Sequence, residues 1–287
     1  RSRRQRQMCI RDRVLTEPCR RNTAPCIAYA MYKLRQMNPK AVAVVTPSDH
    51  YISNTARFAV VMQEGLAFAA SRPALLTVGI TPTFPATGYG YIQTRQDKES
   101  AITPVLRFKE KPDLTTASQY LAEGDYFWNS GMFIWSAQTI IGAFEQYLPE
   151  VASLFASIDK QYGTSEEQAA VNQAFHLSPS ISIDYGIMEK AAQVYVRCVA
   201  DLGWSDVGSW GALYSLLEKD AAANAVSGAD SQFSHAGQNL IKETNPNKKV
   251  IIDGLSGYMI ADTEDVLMIC PLNDENHIKE VIQQANK

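Results

Sequence analysis

No apolar run in this sequence is long enough to span a bilayer, and no apolar segment follows its arginine-rich start, so we read neither a membrane helix nor a signal peptide from it. Cysteine is sparse. Cys9, Cys19, Cys26, Cys198 and Cys270 are odd in number, scattered, and lack the close paired spacing of a zinc site, which points to a reducing, cytoplasmic compartment. Excess basic charge is also missing beyond the first thirteen residues. Positions 1–13 carry six arginines and one acid with no apolar face; a nucleic-acid arm and a non-native scar are the two readings, and the segment is set aside as the second. The whole chain has a formal net charge of −3, and leaving out that segment takes away a net +5, so the remainder stands at −8. An acidic body argues against a nucleic-acid partner.

What is present is a chain of 287 residues, 46% hydrophobic and 20% charged, enough for a full core. A large domain over 14–225 and a smaller one over 226–287 are expected, the small polar stretch after Ala225 serving as linker. Ile27, Ala30, Met31 and Leu34 form one face of a helix that starts near Pro25 and stops at Asn38-Pro39. The apolar run 41–46, the amphipathic face Phe58, Val61, Met62, Gly65 and Leu66, and the run 75–80 read as strand, helix, strand, the crossover of a mostly parallel central sheet. Residues 137–175 read as helical with breaks at Pro149 and near Gly163, and 194–199 as a further strand. Short β-like runs at 249–252, 258–261 and 266–270, closed by a helix over 276–284, suggest a small β unit of β-helix or prism type.

The candidate chemistry lies in the connections. Asp206 stands in Gly203-Trp204-Ser205-Asp206-Val207-Gly208-Ser209-Trp210, between a strand and a helix; either it is a metal ligand, or it or Ser209 caps the helix. Asp49, after the run 41–46, is a second acid beyond a strand, with His50 as a structural neighbour. Two such carboxylates make a seat for Mg²⁺, which prefers oxygen ligands and keeps waters and substrate phosphates. Gly88 and Gly90 flank Tyr89, allowing close backbone approach to a ligand or a tight strand entry. Lys111 can hold a phosphate as a point charge and Glu110 can accept sugar hydroxyls, or both can be solvated ends of a strand. Asn129, among the aromatics of 125–135, needs a partner if buried. Arg21, Asn22 and Thr23 form an outward polar loop suited to a base or phosphates, or a solvated helix entry. Asp184 and Glu189 end one helical turn and a half; Asp184 can cap it and Glu189 can face solvent.

Taken in order, Glu17-Pro18 with Arg21-Asn22-Thr23-Ala24-Pro25, Pro47-Ser48-Asp49-His50, Thr87-Gly88-Tyr89-Gly90-Tyr91-Ile92, Phe108-Lys109-Glu110-Lys111-Pro112, Trp128-Asn129-Ser130-Gly131-Met132-Phe133, Ser182-Ile183-Asp184-Tyr185 and Trp204-Ser205-Asp206-Val207-Gly208-Ser209-Trp210 resemble the motifs of the mannose-1-phosphate guanylyltransferase family. The resemblance runs from about Val14 to the C-terminus. It implies an α/β fold, a Rossmann-like mixed sheet flanked by helices with a small C-terminal β-helix-like domain. It implies GTP and mannose 1-phosphate as substrates, GDP-mannose as product, Mg²⁺ as cofactor, and a homodimer as one assembly. Asp49 and Asp206 would hold the metal and Lys111 the sugar phosphate. Glu110, Asn129 and Asp184 would lie on the sugar side, Gly88, Tyr89 and Gly90 along it, and Arg21, Asn22 and Thr23 on the guanine side.

The family pattern opens with a strand and a G-G-x-G-x-R-L-W-P loop that cradles phosphates on backbone N–H groups, and this sequence shows neither. Little or no activity, and an unsatisfied sheet edge, are the expectations for such a chain. Two other readings stand beside the first: a uridylyl- or thymidylyltransferase acting on a glucose phosphate, and a non-catalytic sugar-nucleotide sensor on the same fold.

Overall fold

A computed structural model describes residues 14–95, 100–228, 230–272, 278 and 281–282. The segment 1–13 and most of the expected helix over 276–284 lie outside the described residues, although Ile278, Val281 and Ile282 are helical. The chain divides into two compact units, one of residues 1–48 and 52–203, the other of 49–51 and 204–287.

The first unit holds α1 (Thr23–Met37), β1 (Val42–Val45), α2 (Thr55–Ser71), β3 (Leu75–Ile80), β4 (Tyr91–Gln93), β5 (Ile102–Pro104), β6 (Arg107–Lys109), α3 (Leu114–Glu123), β7 (Tyr126–Ser136), α4 (Ala137–Tyr147), α5 (Pro149–Ser157), α6 (Glu167–Leu177), a π-helical turn (Asp184–Met188) and β8 (Val194–Val199); the two-residue strand β2 (Tyr51–Ile52) lies between β1 and α2. Its sheet runs β5-β8-β3-β7-β4-β6, with β1 on β7. Among the described strands of this sheet only β3 and β8 pair in parallel, so the sheet is mixed rather than mostly parallel. The crossover from β1 through α2 to β3 is there, but β7 lies between its two strands and antiparallel to both. The run expected to be buried on both faces is therefore only half-buried in β1, while β3 is buried throughout.

Local chemistry explains the elements. Asn22 caps α1 through Thr23 N–H, Asn54 caps α2 through Arg57 N–H, and Asp113 caps α3 through Thr116 N–H. The buried face of α1 is wider than the spacing alone predicts, taking in Ala28, Tyr29 and Tyr32, because α1 packs among α4, α5 and α6 as well as the sheet. Phe144, Phe155, Phe175 and Trp135 fill that core with no exposure above 2%. Each such ring contributes roughly 1.5–3 kcal/mol of burial.

The second unit contains β9 (Trp204–Ser205), α7 (Trp210–Leu216), β10 (Ala225–Ser227), β11 (Asp230–Ser234), β12 (Leu240–Glu243), β13 (Lys249–Asp253), β14 (Tyr258–Asp262) and β15 (Leu267–Pro271). Strands β10, β12 and β14 stack in parallel, β11 and β13 likewise, and β15 closes antiparallel on β14, the coil of a short β-helix. At one corner, buried Asn239 donates from Nδ2 to Asn224 Oδ1 (3.0 Å) and Leu255 O (2.8 Å), a stacked asparagine step that satisfies turn backbone. This unit starts at Trp204 rather than at the expected 226. Trp210, Leu213, Tyr214 and Leu217 pack on its core residues Ala225, Leu240 and Met259, so α7 belongs to it. No helix among the described residues is long and apolar enough to cross a membrane.

Candidate functional site

In the first unit the site is built on a fault in the β3–β7 ladder. Pairing jumps from Thr77↔Phe133 to Gly79↔Asn129, and the extra residues of β7 form a bulge at Ser130 and Gly131, whose φ is 71°. Bulges re-aim side chains, and this one aims Asn129. Its Oδ1 accepts Gly131 N–H (3.3 Å), which fixes the amide orientation, so Nδ2 donates to Asp184 Oδ1 (2.9 Å); Thr77 Oγ1 lies 3.1 Å from both Asn129 Oδ1 and Met132 O and shares its one proton between them. Ser130 Oγ–H closes the bulge onto Val78 O at 2.7 Å.

Around this amide the structure gathers several of the residues expected from sequence. Asn129 N–H donates to Gly90 O (2.8 Å), and a Cβ at Gly90 would lie 2.5 Å from Glu110 Oε2, so only glycine leaves that carboxylate its place. Glu110 has 11% of its side chain exposed and pairs through Oε1 with Lys111 Nζ (3.2 Å), whose own side chain is 60% exposed. Lys111 has φ 43°, a left-handed conformation uncommon for a residue with a side chain. Burial, and then the nearby Glu110 charge, push the Asp184 carboxyl up to about 6; the Asn129 hydrogen bond and Lys111 pull the other way. Asp184 starts a π-helical turn, a rare form often found at functional positions. A Cβ at Gly88 would meet open space, and Tyr89 packs edge-on against Trp128 with centroids 5.1 Å apart.

Arg21, Asn22 and Thr23 use their side chains within the fold. Arg21 Nε–H and Nη2–H donate to Phe175 O (3.0 Å) and His176 O (2.9 Å), covering carbonyls in the last turn of α6. Asn22, at φ 64°, caps α1, and Thr23 Oγ1 accepts Ile183 N–H at 2.9 Å. This loop is thereby tied to the residue preceding Asp184.

In the second unit, Asp206 follows β9 in a loop held by its own side chains. Ser205 Oγ accepts Val207 N–H (3.2 Å) and Asp206 Oδ1 accepts Gly208 N–H (3.1 Å). The helix cap is Ser209, whose Oγ accepts Ala212 N–H at 3.0 Å, so Asp206 is not the cap of α7. Val207 has φ 50°, a strained conformation for a β-branched residue, and such strain clusters at functional positions. A Cβ at Gly208 would lie 2.8 Å from Asp206 Oδ2.

Asp49 is exposed and shares this unit. Half-buried His50 next to it stands edge-on to Trp204 with centroids 5.3 Å apart. Trp204 Nε1–H donates to His50 Nδ1 at 3.1 Å; since indole only donates, the imidazole proton is on Nε2. Burial lowers the His50 pKa, opposed by the charges of Asp49 and then Asp206, so His50 is neutral at pH 7. Both carboxylates therefore act on one imidazole. Two all-oxygen side chains there, with glycine keeping space beside Asp206 Oδ2, fit an ion that takes few protein carboxylates and keeps waters.

Sequence reasoning gave no role to Thr77 or Gly208, and named Glu189 without its contact to Glu110. Thr77 carried a signal, one polar residue in a buried apolar run; Glu189 carried none, because a spacing of five is not a shared face on an ordinary helix. A cavity of about 880 Å³ in the first unit, lined by Pro39, Arg72, Leu75, Thr139, Tyr147 and Gln193 among others, contains none of the candidate residues.

The profile of the nucleotidyl transferase family matches residues 2–223. The xanthan biosynthesis protein XanB of Xanthomonas campestris pv. campestris is 36% identical over 277 residues, 94% of this chain and 56% of that protein. A mannose-1-phosphate guanylyltransferase of Klebsiella pneumoniae is 33% identical over 278 residues, 96% of this chain and 58% of its own. Among solved structures, a Thermus thermophilus protein described as a mannose-1-phosphate geranyltransferase superposes with a TM-score of 0.83 at 27% identity, covering 95% of this chain and 78% of that one. The chain spans little more than half the length of the curated relatives it matches.

Proposed function

We infer that this chain, which belongs to the nucleotidyl transferase family, transfers a guanylyl group from GTP to mannose 1-phosphate, giving GDP-mannose and pyrophosphate. The observation that carries this reading is the cluster of Asn129, Asp184 and Glu110 beside a glycine, with an exposed lysine next in the chain. Fixed acceptors and donors suit sugar hydroxyls, and a cation suits the phosphate.

In this mechanism an oxygen of the sugar phosphate attacks the α-phosphorus of GTP in line and pyrophosphate leaves. Lys111 holds the attacking phosphate. Glu110 and Asp184 accept sugar hydroxyls, and Asn129, its amide orientation fixed by Gly131 N–H, contributes to the same wall. Asp49 and Asp206 would hold Mg²⁺, which when bound offsets charge on the phosphates. Neutral His50 orders the Asp49 segment through Trp204. Arg21, Asn22 and Thr23 shape the guanine-side loop through their intramolecular bonds. No covalent nucleophile is required, because positioning and charge stabilisation supply most of the rate in such transfers.

Pyrophosphate release with GTP, mannose 1-phosphate and Mg²⁺ tests the reading, with UTP and glucose 1-phosphate as the competing pair. The assay is run on this chain and on a version in which 1–13 is replaced by a family-like glycine-rich segment. Turnover confined to GTP and mannose 1-phosphate supports the proposal, and turnover only in the second version supports the expectation of low activity for this chain. Preference for UTP and glucose 1-phosphate overturns the substrate assignment. Binding of GDP-mannose without pyrophosphate release in either version overturns the catalytic reading in favour of a sensor.

A further inference from the structure

Glu189 reads from sequence as a solvent-facing acid and is exposed in the structure, where its Oε1 also accepts the backbone N–H of Glu110 at 3.3 Å. That amide is the first beyond β6, where the ladder with β4 ends at Lys109, so no strand supplies its partner. The next residue, Lys111, holds φ 43°, which a residue with a side chain keeps only where the surroundings enforce it.

The π turn explains how Glu189 gets there. Glu189 N–H donates to Asp184 O at 3.0 Å, an i→i+5 bond. In an α-helix five residues rotate by about 500°, leaving the first and last roughly 140° apart around the axis. Closing the turn at i+5 instead brings residue 189 over residue 184. One end of the turn then engages Asn129 on β7 through Asp184, and the other engages the corner after β6 through Glu189.

We propose that Glu189 is a positioning residue: it holds the Glu110–Lys111 corner in its left-handed conformation, and the π turn places it on the same side as Asp184 to do so. The inference deepens the sugar-phosphate reading given above and rests on it for its catalytic consequence, while the clamp itself is a property of the fold.

Glu189→Ala and Glu189→Gln are compared in the full chain by two measurements. Hydrogen exchange at the Glu110 amide reports the clamp without any substrate. Pyrophosphate release reports its use, in whichever N-terminal form turns over. Loss of the acceptor in Glu189→Ala is expected to speed exchange about tenfold and to raise KM for mannose 1-phosphate about tenfold, with kcat within about twofold. Glu189→Gln, whose amide oxygen can accept the same bond, is expected to recover most of both losses. A clamp-free Glu189→Ala that exchanges at the parent rate overturns the proposal. So does a Glu189→Gln that recovers slow exchange but not KM, since charge rather than the held corner would then matter. If the parent protein releases no pyrophosphate, the function above fails while the exchange comparison still decides the clamp.

Discussion

The candidate acids of the first unit, Glu110 and Asp184, are half-buried against the fold, with 11% of the Glu110 side chain exposed, whereas those of the second, Asp49 and Asp206, are presented from loops, Asp49 exposed and Asp206 half-buried. Glu110 is crowded by Gly90 and paired with Lys111; Asp184 receives Asn129, and burial beside Glu110 lifts its pKa to about 6. In the second unit the two charges instead act on a neutral imidazole, and Asp206 takes a backbone N–H from the next residue but one. The same functional group thus has two environments. Half-buried acids held by side-chain partners are suited to neutral hydroxyl partners, and acids carried on loops are suited to a hydrated cation.

If this contrast is right, substitutions in the two units should separate kinetically, in the form of the protein that turns over. The largest effect is expected from Asp206→Asn, a fall in kcat of about 10³-fold with little change in KM for mannose 1-phosphate. Equal losses in KM would erase the contrast. Next, Asn129→Ala should raise KM for mannose 1-phosphate by about 10–100-fold and leave Mg²⁺ dependence alone, read from the metal titration of the initial rate. Gly208→Ala sharpens the second-unit side of the contrast: a Cβ 2.8 Å from Asp206 Oδ2 must displace that carboxylate, and kcat is expected to fall about tenfold with a weaker response to Mg²⁺.

Asp184 gives the smallest effect and one with a defined pH dependence. Its pKa rises from 3.8 to about 6 on folding, so the folded protein keeps a proton that the unfolded chain releases. The ionised acid therefore costs stability, and the cost develops as pH rises through about 4 to 6 and is complete above it. Asp184→Asn should raise Tm by about 2–4 °C at pH 8 and by nothing measurable at pH 4, in scanning calorimetry, while weakening sugar-phosphate binding. A gain that persists at pH 4 would mean that packing, not charge, is responsible.

Much of this was legible in the sequence. Apolar runs announced β3 and β8, and apolar spacing with proline and glycine punctuation announced α1, α2 and α4 to α6, while α3 (Leu114–Glu123) was not read. Asn129 stood out as a lone amide among aromatics, and Asp49 and Asp206 as acids beyond strands. Other features were not legible for identifiable reasons. The run 42–45 has the composition of a central strand, but whether a strand is central depends on its neighbours, and here β7 is its sole partner among the described strands. Residues 182–190 read as a helical turn and a half, and nothing in a local pattern distinguishes i→i+4 from i→i+5 closure. Asp206 and Ser209 were equally plausible caps until the geometry assigned that role to Ser209.

The sequence by itself determined which residues carry charge, amide or glycine at each connection, because residue type and local propensity are short-range properties. Only the tertiary structure decided how they are used. A strand bulge turned Asn129 toward Asp184, a π turn brought Glu189 to the amide of Glu110, and burial beside another acid raised the pKa of Asp184. Each of these depends on segments tens of residues apart meeting at hydrogen-bond distance, where the field and the desolvation are set by the neighbours rather than by the residue itself.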